Sequence, residues 1–146
     1  MNRNVCITIS GLHSPEDEDS KDVIEVLYFG TYYNRNGKHY IRYDEEPDAG
    51  GVCKTNLLKI GRDEVEILSK GEVDTRMMFT LGKKNISYYA TPFGGMNLGV
   101  DTYEMRIEEE KDRLCVSLKY GLDINLEYVA SCNVNIVVTS SASLKA

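Results

Sequence analysis

The chain has 146 residues and a net charge of −6, with 17 Lys and Arg against 23 Asp and Glu. That length suits one domain with a core large enough to need no metal or disulfide staple. A pI near 5.0 and the lack of any basic block weigh against nucleic acid and anionic membranes as partners, since both attract clustered cations. No apolar run approaches the roughly 20 residues of a spanning helix, and the start MNRNVCITIS lacks a signal-peptide core. A single cytoplasmic domain over residues 1–146 is therefore expected. Cys6, Cys53, Cys115 and Cys132 are scattered without a C-x-x-C pair, which suits reduced thiols.

Apolar residues recur at period two along almost the whole chain, the mark of half-buried strands. In chain order the runs are Val5 to Leu12, Val23 to Tyr33, Lys38 to Glu45, Val52 to Ile60, Glu64 to Leu68, Val73 to Leu81 and Ile86 to Thr91. Asn36-Gly37 divides the second from the third, and a type I′ turn is the natural home of that pair. Gly61-Arg62-Asp63, Lys70-Gly71 and Gly82-Lys83-Lys84 punctuate later junctions. The stretch from Ile86 to Ile107 folds around Pro92-Phe93-Gly94-Gly95. Within it Met96, Leu98 and Val100 are apolar at even positions, whereas Tyr103, Met105 and Ile107 continue at odd ones. A β-bulge near Asp101 and Thr102 would reconcile the two phases.

Glu108 to Lys111 favour a helix by propensity, but no apolar stripe accompanies them, so a charged hairpin tip is expected. Leu114, Val116, Leu118, Tyr120 and Leu122 alternate cleanly. A long closing strand follows from Ile124, with Leu126, Tyr128, Ala130, Cys132, Val134, Ile136 and Val138 on its apolar face. Connections this short join only antiparallel neighbours, and closure removes exposed edges. The expected fold is all-β: a single antiparallel up-and-down meander of 8–10 strands closed into a barrel.

Gly30-x-Tyr32, Tyr40-Ile-x-Tyr43-x-Glu45, Thr55-x-x-x-Lys59, Gly71, Phe79, Thr91-Pro-Phe-Gly94 and Thr102 occur in that order. The ordered set resembles the YwiB-like family of small calycin-type β-barrels, over about Val23 to Val138. The resemblance implies a lipocalin-like antiparallel barrel. It implies no enzyme activity, cofactor or catalytic residue.

Several chemistries are disfavoured by spacing. His13 and His39 have no ligand-spaced Cys or His nearby, so neither a zinc site nor any other metal or cofactor is expected. A Ser or Cys nucleophile would have only these two bases and no nucleophile elbow, so an enzyme is disfavoured. Asp17-x-Asp19 begins like a calcium loop, but Asp22 and Tyr28 stand where Gly and Glu belong. Gly94 to Gly99 has phosphate-loop spacing without the following Lys-Ser/Thr.

The ten tyrosines and absent tryptophan are explained first by strand propensity. Inward-facing rings would also suit a concave ligand site. Tyr32, Tyr40 and Tyr88, with the strand charges Arg42, Glu104 and Arg106, are accordingly the candidate ligand-binding residues. Glu104 and Arg106 would face inward only if the bulge were missing. Two functions fit: a non-catalytic binding module for a small apolar or amphipathic ligand, or a solid barrel acting in protein interaction or homo-oligomer formation through Phe93 and Met77-Met78.

Overall fold

The computed structural model describes residues 3–11, 25–45, 53–71, 74–91 and 94–141. His13, the acidic Pro15 to Asp22 stretch with its calcium-like spacing, and Phe93 lie outside them. Ten strands account for nearly all of the described chain: β1 (Asn4–Ser10), β2 (Glu25–Arg35), β3 (Lys38–Glu45), β4 (Lys54–Ile60), β5 (Glu64–Lys70), β6 (Thr75–Thr80), β7 (Lys84–Thr91), β8 (Gly94–Glu110), β9 (Arg113–Ile124) and β10 (Glu127–Ser140). Every ladder is antiparallel, and the strand order is β6-β5-β4-β3-β2-β1-β10-β9-β8-β7. The charged stretch at Glu108–Lys111 is a hairpin tip between β8 and β9, as its pattern predicts.

The two ends of the described chain meet in the middle of the sheet, where β1 pairs with β10 from Val5–Ser140 to Ser10–Asn135. The barrel is nearly closed. Its seam lies between β6 and β7, neighbours in sequence that share no ladder. Thr102 stitches this seam from β8: its carbonyl accepts from Gly82 N (2.9 Å) and its amide donates to Lys83 O (3.3 Å). Asn85 Nδ2 adds donors to Thr80 Oγ1 (2.9 Å) and Met78 O (3.2 Å). Gly82 takes a φ of +77°, as this tight connection requires.

Side chains from both halves fill the middle of the barrel. Ile7, Ile41, Leu58, Ile60, Val65, Phe79, Leu114, Leu118 and Ile136 are all fully buried. Phe79 meets Tyr120 edge-on, with centroids 4.9 Å apart and planes at 70°, a favourable arrangement of ring quadrupoles. Gly30 is required where β2 passes β3, because a Cβ there would collide with the Arg42 carbonyl.

Two sequence expectations shift. The register slip in β8 exists, but it falls between Thr102 and Glu104, one residue later than the apolar pattern suggests. Thr102 is fully buried and Tyr103 is the extra, exposed residue, its hydroxyl 2.5 Å from Ser131 Oγ. Thr102 is buried although threonine reads as polar, which an apolar/polar pattern cannot register. Leu126 and Tyr128 do not continue the core face of a closing strand. Asn125 (φ 51°) and Leu126 (φ 70°) form a turn with positive φ at both centres, and a second slip between Tyr128 and Ala130 brings β10 into phase. Leu126 and Tyr128 are exposed as a result.

Tyr28, Tyr43 and Tyr120 face inward. Burial, and then the hydrogen bond to the Glu45 carboxylate, pushes the Tyr28 hydroxyl from 10.0 up to about 12; burial also raises Tyr43 and Tyr120. A hydroxyl that ionises more easily unfolded than folded stabilises the fold fully below the ordinary value of 10.0, and that contribution is lost as pH rises towards about 12. Urea midpoints measured across this alkaline window should therefore fall with pH, in step with late tyrosinate absorbance. A midpoint independent of pH there would contradict this assignment.

Candidate functional site

Among the described residues, the core side chains fill the middle of the barrel, and clefts open at its ends and along its outer face. A cleft with a volume of about 1350 Å³ runs from the β8–β9 hairpin tip across β2 to β5. Outward positions are aligned there by register: Arg42 lies beside Leu57, Leu57 beside Leu68, and Thr55 beside Lys70. Tyr33 forms part of the wall and stacks on Tyr40, with centroids 4.9 Å apart and planes 3° from parallel.

The cleft is strongly cationic. Arg3, Arg42, Lys59, Lys70, Lys111 and Arg113 line it, against the carboxylates Glu109 and Glu110 alone. Lys59 leans towards Glu66 on β5, at 3.6 Å. Among the described residues, the other five cations have no carboxylate within ion-pair distance.

At one edge of the cleft is a three-residue relay. Tyr32 Oη lies 2.6 Å from His39 Nδ1, and His39 Nε2 contacts Glu109 Oε1. A carboxylate only accepts, so Nε2 is the donor; Nδ1 of a neutral ring then accepts the tyrosine hydroxyl. Both ring nitrogens of the buried imidazole are satisfied. β2 and β3 supply Tyr32 and His39 from neighbouring strands. Glu109 comes from the far side of the sheet order, where the long β8 carries its tip over the barrel end. The relay thus ties the hairpin tip to β3 and fixes one wall of the cleft. Among the described residues, no group of three or more His, Cys, Asp or Glu side chains is arranged to hold a metal.

Of the candidates read from sequence, Tyr32 and Arg42 line the cleft, and Tyr40 supports it from beneath Tyr33. Tyr88 is 68% exposed on the outer face of β7, its ring lying over Gly95 of β8, where a Cβ would collide with it. Glu104 and Arg106 are on the outer face of β8, because the slip at Tyr103 turns them outward; Glu104 pairs with Lys119 at 3.1 Å. Met77 packs against the core and Met78 is half-buried, so neither is an exposed anchor. Sequence reading missed Lys59, Lys70, Glu109, Lys111 and Arg113. The outward Lys59 and Lys70 could have been found from strand register, but no local signal brings the hairpin tip to β3.

Residues 7–136 match the family model described as Domain of unknown function (DUF1934). Over 129 residues, 87% of this chain and 88% of the relative, the sequence is 32% identical to the Uncharacterized beta-barrel protein YwiB of Bacillus subtilis (strain 168). The chain belongs to this family. The crystal structure of the Bacillus subtilis ywiB protein superposes with a TM-score of 0.77 at 24% identity, covering 95% of this chain and 92% of that one. At that identity the superposition establishes the shared barrel fold. Among the described residues, no helix is long and apolar enough to cross a membrane.

The relay makes a testable ranking. Tyr32→Phe leaves the buried Nδ1 without a partner and should cost about 1–3 kcal/mol. Glu109 is 62% exposed, so water can take the place of its carboxylate at Nε2, and Glu109→Ala should cost less, under about 1 kcal/mol. Urea denaturation of the two variants reads this order directly, and the reverse order would contradict it.

Proposed function

We propose that this protein is a non-catalytic binding module whose ligand is a small amphipathic molecule with an anionic group, held in the cleft across β2 to β5. The observation that carries this reading is an inversion of charge. The chain has more acidic than basic residues, yet six cations face two carboxylates in this cleft. Leu57 and Leu68 supply an apolar strip between them, and Tyr33 offers a flat ring face. Cations bordering an apolar strip complement a molecule with a charged head and an apolar body. The scattered free thiols suit a reducing compartment, and we place the protein in the cytoplasm on that ground.

The fluorescent amphipathic anion 1-anilinonaphthalene-8-sulfonate tests the reading on the folded protein. It should bind saturably, and more weakly as salt is added, because exposed charges are screened. Arg42→Gln combined with Lys70→Gln removes two outward cations without touching the core, and should weaken binding roughly tenfold, or ~1.4 kcal/mol. Affinity unchanged in the double variant would remove the cleft as the site.

A further inference from the structure

The barrel end opposite His39 holds a separate pocket of about 360 Å³, within the lower range of small-molecule sites. Its walls are largely apolar, formed by Ile9, Val26, Ile67 and Met77. Tyr28 stacks on Tyr43 beside them, with centroids 4.5 Å apart and planes at 29°.

Among the described residues, one carboxylate faces this space, that of Glu45. Glu45 accepts hydrogen bonds from the Tyr28 hydroxyl and from Asn56 Nδ2, each at 2.7 Å. Asn56 is 2% exposed and is held in turn by the Ser69 hydroxyl, which donates to its Oδ1 at 2.5 Å. The network aims a charge into an apolar mouth and keeps it there. Burial alone would raise the Glu45 carboxyl, but its hydrogen bonds and Lys54 outweigh burial and hold it below the ordinary range.

Among the described residues, the cation facing Glu45 is Lys54, with Nζ 3.6 Å from Oε2 and a side chain half exposed to solvent. That separation is longer than a hydrogen bond, so the carboxylate is only loosely neutralised. Lys54 brings an ammonium group on an apolar stem to the rim of an apolar pocket. A free molecule of the same kind could take its place and also fill the pocket. The carboxylate repels an anion, and a neutral apolar occupant would strip water from it without replacing the lost interaction. Aromatic faces nearby add attraction for a cation.

We propose that this mouth is a binding site for a small primary ammonium compound with an apolar body, the ammonium replacing Lys54 at Glu45 and the body lying among Ile9, Ile67 and Met77. The site shares no lining residue with the cationic cleft and has the opposite charge preference.

Methyl NMR of the full chain, titrated with hexylammonium, hexanol and hexanoate, tests this. Hexylammonium should shift the Met77 and Ile67 methyl signals saturably and more tightly than hexanol, with hexanoate weakest. Glu45→Gln should abolish the preference for hexylammonium over hexanol. Lys54→Met changes a half-exposed side chain, leaves the network intact, and should tighten hexylammonium roughly threefold by removing its competitor. No saturable shift with hexylammonium, equal binding of hexanoate, or weaker hexylammonium binding in Lys54→Met would each overturn the proposal.

Discussion

The ladder between β1 and β10 is the constraint on which the rest of this barrel depends. It joins residues more than a hundred positions apart in the chain, Val5 with Ser140 and Ser10 with Asn135, and welds two meanders into one sheet. Its loop-closure cost is large, and the ladder bonds and the burial of Ile7, Ile9, Ile136 and Val138 must offset it. In return the sheet has no edge where the ends of the chain meet. The unpaired edges appear instead at β6 and β7, joined by a short turn and held by Thr102 and Asn85. Long-range pairing therefore closes the barrel, and local turn contacts secure what remains open.

Such a closed and twisted sheet points one face of every strand at the same small volume. Among the described residues, the alternating apolar side chains fill most of it. Clefts open instead at the ends and along the outer face, where the core gives way to polar side chains. The two ends differ in charge. At one, the β8–β9 tip is drawn over β3 by the contact of Glu109 with His39 and borders a cationic cleft. At the other, Tyr28, Asn56 and Ser69 hold the Glu45 carboxylate over an apolar pocket. Charge at each end is set by outward or terminal positions that contribute little to the core.

The fold was largely legible in the alternation. Leu114 to Leu122 and Ala130 to Val138 declare their inward faces without ambiguity, and Asn36-Gly37 marks its turn. Thr102 and Asn125-Leu126 were harder, since a buried threonine reads as polar and a leucine with positive φ reads as strand. The motif residues acquire distinct physical roles: Gly30 permits close passage of β3, Phe79 fills the core and Thr102 holds the seam. The candidate site was legible only in part. Tyr32 and Arg42 stand out as aromatic or charged residues within strands, but their meeting with Lys70, Lys111 and Arg113 depends on register and barrel curvature. Glu104 and Arg106 were decided by one extra residue, because a single bulge exchanges the two faces of everything beyond it.

Closure at β1–β10 with a seam at β6–β7 implies an uneven distribution of local stability, which hydrogen exchange of the native protein reports most directly. Ladder amides of β1, β9 and β10 should exchange slowest, at rates set by global unfolding. Amides along the unpaired edges of β6 and β7 should exchange far sooner through local opening. Early exchange of β1 and β10, with β6 and β7 protected to the global limit, would contradict the account.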